Sequence, residues 1–387
     1  MSKTENVNLY QYLQQLPLSS DGKKLIDLPP DQKQEALDLA WEAFTTGDFQ
    51  QRWEVAKFLP KFGESAIAPL VQLLEDETAN VDLRCEAAAI LSKFNARNAI
   101  FALTNVLESE SPTEVITACA NALANNGKTA IPTLTNALRD SHTRLAAVQA
   151  LAYIRQPETI DPLLTVLNDP QTQVRITAIE ALSSFRHPQI NKALMTALQD
   201  VNATVRKEAV LGLGVRGREN NADAIIEALT PLLYDLDLEV CSSCAIALGK
   251  LGTTTAITAL EQCLHSSFTP TALKQQIVRG LSHTENEHTL SVLASNLQQQ
   301  PSSIIQEIIA VLGRWKNPAF KASVAKTLIK FFQEDASITT HQTIKQTLAV
   351  ALGNLGTQSG KDLLWELTQD ETPMVQLHAQ AALKKLP

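Results

Sequence analysis

The sequence predicts an all-α fold, a right-handed α-α superhelix of about ten two-helix repeats behind an N-terminal capping helix pair. Two adjacent segments, residues 159–189 and 190–220, share one pattern: an apolar helix, an Asp, a short polar loop, Val-Arg, and a second helix rich in Ala and Leu. Apolar residues recur at steps of three and four, which is helical spacing. Hydrophobic residues make up 44% of the chain and aromatic residues only 5%. This composition favours thin layers of packed helices over one large globular core.

Residues 1–65 are predicted to differ from the repeats. Residues 1–30 form a partly ordered leader, because a proline pair ends its one helical segment. Residues 31–65 form the capping pair, in which Asp31 caps the first helix and Gly63 ends the second. Six aromatic residues distinguish this pair, as expected where a repeat array needs an atypical end surface.

Residues 66–387 are predicted to form the repeat array. Prolines stand near the starts of first helices, although Pro231 falls deeper and predicts a kink. Glycines end the second helices at Gly127, Gly217, Gly252 and Gly356. The repeats are predicted to start at Ala66, Ala99, Ala130, Thr159, Ile190, Ala224, Ala256, His288, Ala322 and Gly360.

The repeats resemble HEAT repeats, and specifically the phycobilisome-lyase-like subgroup. The resemblance is carried by Asp169…Val174-Arg175…Ala178 and by the matching residues Asp200…Val205-Arg206…Ala209. It implies a ladder of ion pairs between neighbouring repeats, formed by Asp169, Arg175, Asp200 and Arg206. In the other repeats the Arg position holds Asp82, Ile116, Ala146, Cys241 or Gln376. The ladder is therefore expected only around the fifth to seventh units.

The resemblance also implies two functions, of which the lack of recognisable catalytic residues favours the first. One is a protein-binding scaffold or chaperone that uses its concave face in the assembly or turnover of phycobiliproteins or cofactor proteins. Its partner would be a phycobiliprotein or a second HEAT-repeat subunit. The alternative is a bilin lyase that attaches a linear tetrapyrrole to phycobiliprotein cysteines in cyanobacteria. No resident cofactor is expected, and a linear tetrapyrrole would bind only transiently.

The sequence contains no recognisable catalytic motif. Cys241-Ser-Ser-Cys244 has C-x-x-C spacing, so a metal site or a redox-sensitive thiol are alternatives. However, Cys85, Cys119 and Cys244 fall on the repeat position that Ala178 holds, which favours core packing. No His-Glu dipeptide occurs, which excludes a di-iron deoxyhypusine hydroxylase. No metal site is predicted.

The second helices are predicted to line the concave face and to carry the partner surface at Gln173, Thr177, Glu180, Lys207 and Glu208.

Arg216 replaces an apolar residue that is Leu251 or Leu355 in other repeats, and Arg218 follows two residues later. Either these arginines reach solvent or pair with acids of the next repeat, or they contact an anion or carboxylate. Trp315 and Trp365 are expected to pack in the core.

Charge and cysteine content suggest where the chain acts. The net charge is −8, with 33 basic and 41 acidic residues spread along the chain, so nucleic-acid binding is not expected. The N-terminus lacks an apolar signal segment, and no stretch reaches the ~18 apolar residues of a membrane span. Five cysteines without framework spacing favour a reducing compartment. We therefore expect a cytoplasmic protein without membrane insertion.

Overall fold

A computed structural model describes residues 30–94, 96–216, 222–334 and 341–386, which form twenty-two α-helices and no β-strand. The predicted all-α fold is confirmed. The predicted leader lies outside the described residues, apart from Pro30, where α1 (Pro30–Thr46) begins. Asp31 therefore lies in the first turn of α1 rather than before it. The predicted second helix is shorter than expected, because α2 (Phe49–Ala56) gives way to a 3-10 helix, Leu59–Ala66, which contains Gly63 at φ 66°.

The chain divides into two compact units, residues 1–185 and 186–387. In the first unit, four helix pairs follow α2, and we number them repeats 1–4. They are α3 (Ile67–Glu75) with α4 (Val81–Leu91), α5 (Arg97–Leu107) with α6 (Thr113–Ala124), α7 (Ile131–Ala137) with α8 (Arg144–Ile154), and α9 (Ile160–Thr165) with α10 (Thr172–Ser183).

The second unit contains six pairs, repeats 5–10. They are α11 (Pro188–Ala197) with α12 (Ala203–Gly214), α13 (Ala222–Leu229) with α14 (Leu238–Leu251), α15 (Thr254–His265) with α16 (Thr271–Leu281), α17 (Glu287–Asn296) with α18 (Ser302–Leu312), α19 (Pro318–Glu334) with α20 (Gln342–Leu355), and α21 (Lys361–Leu367) with α22 (Pro373–Leu383). Pro231 does not kink α13, because that helix ends at Leu229 and Pro231 lies near the start of a 3-10 helix, Thr230–Tyr234.

Small apolar side chains build the core between the helices. On α10, Val174, Ala178 and Leu182 are completely buried, at the three- and four-residue steps that predicted a helix. Polar side chains cap the N-termini of several second helices. The amide oxygen of Asn202 accepts backbone N–H groups of α12, and the carboxylate of Asp237 accepts those of α14.

Glycines let the second helices of the second unit approach each other closely. A Cβ on Gly249 in α14 would lie 2.0 Å from the carbonyl oxygen of Gly280 in α16, and a Cβ on Gly280 would lie 2.4 Å from that of Ala245. Gly214 meets Ala247 and Gly313 meets Ala351 in the same way. We call these contacts the glycine seams. They show that the sequence interpretation was incomplete: Gly252 and Gly356 do end their helices at positive φ, but other glycines serve helix packing.

Ion pairs join neighbouring repeats at three of the loops that connect a first helix to its second helix. Arg144 Nη1 lies 2.8 Å from Asp169 Oδ2 in the first unit. In the second unit, Arg206 donates to both carboxylate oxygens of Asp235, at 2.7 and 2.8 Å, and Lys345 pairs with Asp370. Each of these Asp residues also accepts the N–H two residues later, so one carboxylate both shapes its own loop and binds the preceding repeat.

The ladder extends further along the chain than the sequence predicted. Arg175 and Arg206 each donate to the backbone carbonyl six residues earlier, that of Asp169 or Asp200. Arg144 makes the same bond to Leu138, so it occupies the position that the sequence alignment assigned to Ala146. That alignment was wrong because Arg144 lies four residues after Asp140, whereas Arg175 lies six residues after Asp169.

A similar shift affects repeat 1. Buried Arg84, not Asp82, makes the contact to the next repeat, and its Nη2 donates to Ser111 Oγ at 3.0 Å. Arg84 lies eight residues after Asp76, two more than separate Arg175 from Asp169, which causes the offset there.

Replacing Gly249 by Ala is expected to destabilise the fold by about 1–3 kcal/mol, because the new methyl group would force two backbones apart. The gain of ~1 kcal/mol in helix propensity would offset only part of this cost. The midpoint of urea unfolding, followed by helical circular dichroism, measures the effect. Gly360→Ala is the control, since Gly360 has φ −81° and its nearest neighbour atom would be 3.4 Å away. A Gly249→Ala protein as stable as the wild type would contradict the seam.

Replacing Asp235 by Asn is expected to lower the free energy of unfolding at pH 7 by about 1–3 kcal/mol, because Arg206 would lose its charged partner. The hydrogen bond from Arg206 holds the pKa of Asp235 below its usual value. The stabilisation is therefore present at neutral pH and fades as the pH falls below about 4.

Urea titrations at pH 7 and pH 3.5 should show the difference between wild type and Asp235→Asn shrinking at the lower pH. Glu158→Gln, which breaks the exposed Lys128–Glu158 pair, is the control and should leave stability unchanged. Equal losses of unfolding free energy in Asp235→Asn and Glu158→Gln would show that burial of the Arg206–Asp235 pair does not strengthen it.

Candidate functional site

The second helices of the second unit turn one equivalent position toward solvent in every repeat. Contacts across the seams align the second helices of successive repeats. Gly214 faces Ala247, which lies two residues before Gly249, and Gly353 faces Ala382, which lies two residues before Lys384. The residues after Gly214, Gly249, Gly313 and Gly353 are exposed, as are the aligned residues His283 of repeat 7 and Lys385 of repeat 10. We call this set the terminal row, since it lies at the C-terminal ends of the second helices; it consists of Val215, Lys250, His283, Arg314, Asn354 and Lys385.

Three of the six residues of the terminal row are cationic, and none is anionic. Lys250, Arg314 and Lys385 carry positive charge at helix C-termini, where the helix dipole favours cations. Burial, and then the charge of Lys250, lower the pKa of His283, which keeps this imidazole neutral at pH 7. Lys385 Nζ donates to Asn354 Oδ1 at 3.1 Å, so neighbouring members of the row touch. Sequence reasoning missed this row, although Lys250 and Arg314 directly precede the aligned residues Leu251 and Trp315.

Charged side chains also connect the middle of this face. Lys207 Nζ lies 3.0 Å from Glu239 Oε2, and this hydrogen bond raises the pKa of Lys207. Arg279 donates to both carboxylate oxygens of Glu307, at 2.8 and 3.2 Å. Each pair spans two successive second helices. Hydrogen bonds between charged side chains therefore link the second helices of successive repeats along this face.

The predicted binding residues fall on the outward faces of their helices. On α12, Lys207 and Glu208 are half-buried. On α10, which belongs to the first unit, Gln173 and Glu180 are exposed, and Gln173 Nε2 lies 3.5 Å from Thr177 Oγ1. Their role in binding a partner stays a prediction.

Arg216 does not reach solvent. It is only 4% exposed, and its Nη1 donates to the carbonyl oxygen of Gly212 at 3.0 Å, one turn earlier in α12. Its guanidinium therefore bonds backbone at the end of the helix. Arg218 and Gly217 lie outside the described residues. An anion contact by Arg216 or Arg218 stays a prediction.

The two tryptophans behave differently. Trp315 is buried and meets Phe320 edge-on, with ring centroids 6.0 Å apart, as predicted. The prediction for Trp365 was wrong, because this side chain is 58% exposed. Trp365 lies on the outward side of the first helix α21, where Leu363, Leu364 and Leu367 already fill the inward side.

Four of the five cysteines lie in the core, but Cys85, which was also predicted to lie there, is only half-buried. Cys119, Cys244 and Cys263 are completely buried. Burial raises the pKa of Cys119 to about 12 and also raises those of Cys241 and Cys244. Cys241 and Cys244 donate to the backbone carbonyls of Asp235 and Leu229, respectively, so each sulfur bonds a different loop or helix end. These thiols stay protonated at neutral pH, which disfavours nucleophilic or metal-binding roles.

The described residues contain neither a metal-binding cluster nor a membrane-spanning helix. Among the described residues, no three His, Cys, Asp or Glu side chains come together in a way that would hold a metal ion. None of the helices in the described ranges is both long and apolar enough to cross a membrane.

Solved structures of karyopherins resemble this chain in fold. The karyopherin Kap121p bound to the extreme C-terminus of the protein phosphatase Cdc14p matches 100% of this chain and 49% of its own, with 13% identity and a TM-score of 0.66. Kap95p in a structure with RanGDP matches 100% of this chain and 59% of its own, with 14% identity and a TM-score of 0.61. The chain thus spans about half the length of these proteins. At such identities the likeness shows the fold, an all-α superhelical solenoid.

No curated protein sequence matches the chain. A family model described as HEAT repeats matches residues 67–144, 131–191 and 191–282. The match concerns HEAT repeats in general and does not distinguish the phycobilisome-lyase-like subgroup. Since the matched residues make up more than half of the chain, the chain belongs to the HEAT-repeat family.

Proposed function

We propose that this chain is a scaffold or chaperone that holds a protein partner along the second-helix face. The observation that carries the proposal is the terminal row: the glycine seams bring successive second helices together and repeat one exposed position across them. Such a face offers many small contacts in register, which suits a large partner surface better than a small molecule.

The charges of the face indicate the partner's chemistry. Lys250 and Arg314 stand exposed in neighbouring parts of the row, with neutral His283 between them in the repeat order. An acidic patch on the partner would complement this row and would speed association. The karyopherin structures that share the fold are named for protein partners, a phosphatase C-terminus and RanGDP, which supports protein binding in general.

A phycobiliprotein is the partner we propose to examine first. The support is the resemblance of the repeats around Asp169…Arg175 and Asp200…Arg206 to phycobilisome-lyase-like repeats. Under the alternative, lyase activity, the protein incubated with a linear tetrapyrrole and an apo-phycobiliprotein would yield a covalent coloured product. Under the scaffold proposal it would bind the apo-phycobiliprotein without forming that product.

Reversing two charges of the terminal row, Lys250→Glu with Arg314→Glu, is expected to weaken partner binding at least tenfold. The protein would be immobilised and offered an apo-phycobiliprotein, with host extract as a second source of partners. Lys192→Glu with Lys326→Glu is the matched control: it makes the same charge change on exposed residues of the first helices α11 and α19. Recovery of the same proteins at the same level by both double variants would refute binding through this face.

A further inference from the structure

Three successive loops of the second unit each expose a large apolar side chain almost completely. Val201 lies between α11 and α12, Leu236 between α13 and α14, and Phe268 between α15 and α16; their exposures are 95%, 104% and 94%. Tyr234, in the middle loop, is 62% exposed. We call these four residues the apolar ridge. They add nothing to the core, and contiguous exposed apolar groups of this size mark interaction sites.

Other loops carry polar residues at the corresponding positions. In the same unit, Gln299 lies two residues before the N-cap of α18, as Phe268 does before the N-cap of α16. Glu371 lies one residue before the N-cap of α22, as Leu236 does before the N-cap of α14. Both are exposed. The repeat fold therefore does not require apolar residues there, and the loops of repeats 5–7 differ in this respect from those of repeats 8 and 10.

The loops of the ridge are held in place by their own hydrogen bonds. Asp235 Oδ1 accepts the N–H of Asp237 at 2.8 Å while the same carboxylate binds Arg206. Thr269 Oγ1 donates to the carbonyl of Cys263 at 2.6 Å, which anchors the loop that bears Phe268. The apolar side chains are thus presented from ordered turns. A partner that binds them does not have to order the loops first.

A groove of about 330 Å³ opens between the second and third loops of the ridge. Its walls are mostly apolar, and the one ionised group on them, Asp235, is already paired with Arg206. The main apolar residues lining it are Tyr234, Leu236, Leu238, Phe268, Pro270 and Leu273. The groove is large enough to take one or two large apolar side chains.

The size and spacing of the ridge indicate its occupant. Its side chains expose on the order of 600 Å², given roughly 150–250 Å² for a large aromatic residue. A stable dimer needs about 800 Å² from each partner, so a short segment fits better than a second copy of this chain. Packed helix pairs follow one another at about 10 Å. Seven residues of an α-helix rise about 10.5 Å, which matches that interval.

Charge beside the ridge adds a further constraint. Asp237 and Glu239 lie at the start of α14, next to Leu236 and Leu238, and the Glu239 side chain is 77% exposed. Glu239 is already paired with Lys207, so it is Asp237 that favours a segment with a basic residue next to its apolar stripe.

We propose that the apolar ridge docks an amphipathic helix of a partner protein, with apolar residues at seven-residue intervals and basic residues beside them. The helix would place one apolar side chain in the groove between Leu236 and Phe268 and another against Val201. This site is on the loop edge and not on the second-helix face, so it does not depend on the function proposed above.

A fluorescein-labelled 21-residue helical peptide of Leu, Lys and Ala, with its leucines in a seven-residue repeat, tests the proposal with the full-length protein. Fluorescence polarisation should show binding to the wild type. Leu236→Ser with Phe268→Ser should weaken that binding at least tenfold, because both side chains are in the docking surface. Gln299→Ser with Glu371→Ser should leave it unchanged. Melting followed by circular dichroism should be the same for all three proteins, since the substituted side chains are exposed.

The proposal is overturned if the wild type does not bind the peptide or if Leu236→Ser with Phe268→Ser binds it equally well. It is also overturned if a peptide of the same composition with scattered leucines binds as tightly. Sedimentation velocity examines the competing occupant. A concentration-dependent dimer that Leu236→Ser with Phe268→Ser abolishes would assign the ridge to a second copy of this chain instead.

Discussion

The structure of the second unit depends on the contact between backbones of successive second helices. At the seam between Gly249 and Gly280, no side chain separates α14 from α16. Helix packing normally leaves room for side chains between the axes, so this contact requires glycine on at least one helix. The same arrangement recurs where Gly313 meets Ala351. Close packing on this side of the repeats brings the outward positions of the second helices into one continuous face.

Electrostatics reinforces that packing at the other end of the second helices. In three loops a single Asp both closes its own turn and receives a cation from the preceding repeat: Asp169 with Arg144, Asp235 with Arg206 and Asp370 with Lys345. The position of the loop and the stacking of the repeats are therefore coupled through one carboxylate. This coupling has a consequence for the apolar ridge, because the turn that exposes Leu236 is the turn that Asp235 holds.

The fold could be predicted in detail because repeat periodicity depends on many residues at once. The start predicted at Ala130 lies one residue from the observed Ile131, and the start predicted at Ala322 lies four residues from Pro318. Individual positions were less predictable. Arg84 and Arg144 were missed because each differs by two residues from Arg175 in its spacing from the preceding loop Asp, which shifts the alignment. Trp365 was misplaced because both sides of a short first helix can carry large residues.

The candidate site was predictable only in part, for a similar reason. The sequence indicates which residues lie on second helices, and it placed Lys207 and Glu180 on outward faces. The terminal row depends on which positions of neighbouring helices touch, which only the seams reveal. Likewise, three apolar loop residues spread over residues 201–268 do not form a pattern until the loops are seen side by side. Both surfaces arise from contacts between repeats rather than from any local motif.

Hydrogen exchange of a Gly280→Ala protein measures the central claim most directly. A Cβ at residue 280 would lie 2.4 Å from the carbonyl oxygen of Ala245 in the neighbouring helix. The seam account predicts that amides in both α14 and α16 lose protection together, since neither backbone can move without the other. Loss of protection in α16 alone, with α14 unchanged, would contradict the claim that backbone contact between second helices holds the unit together.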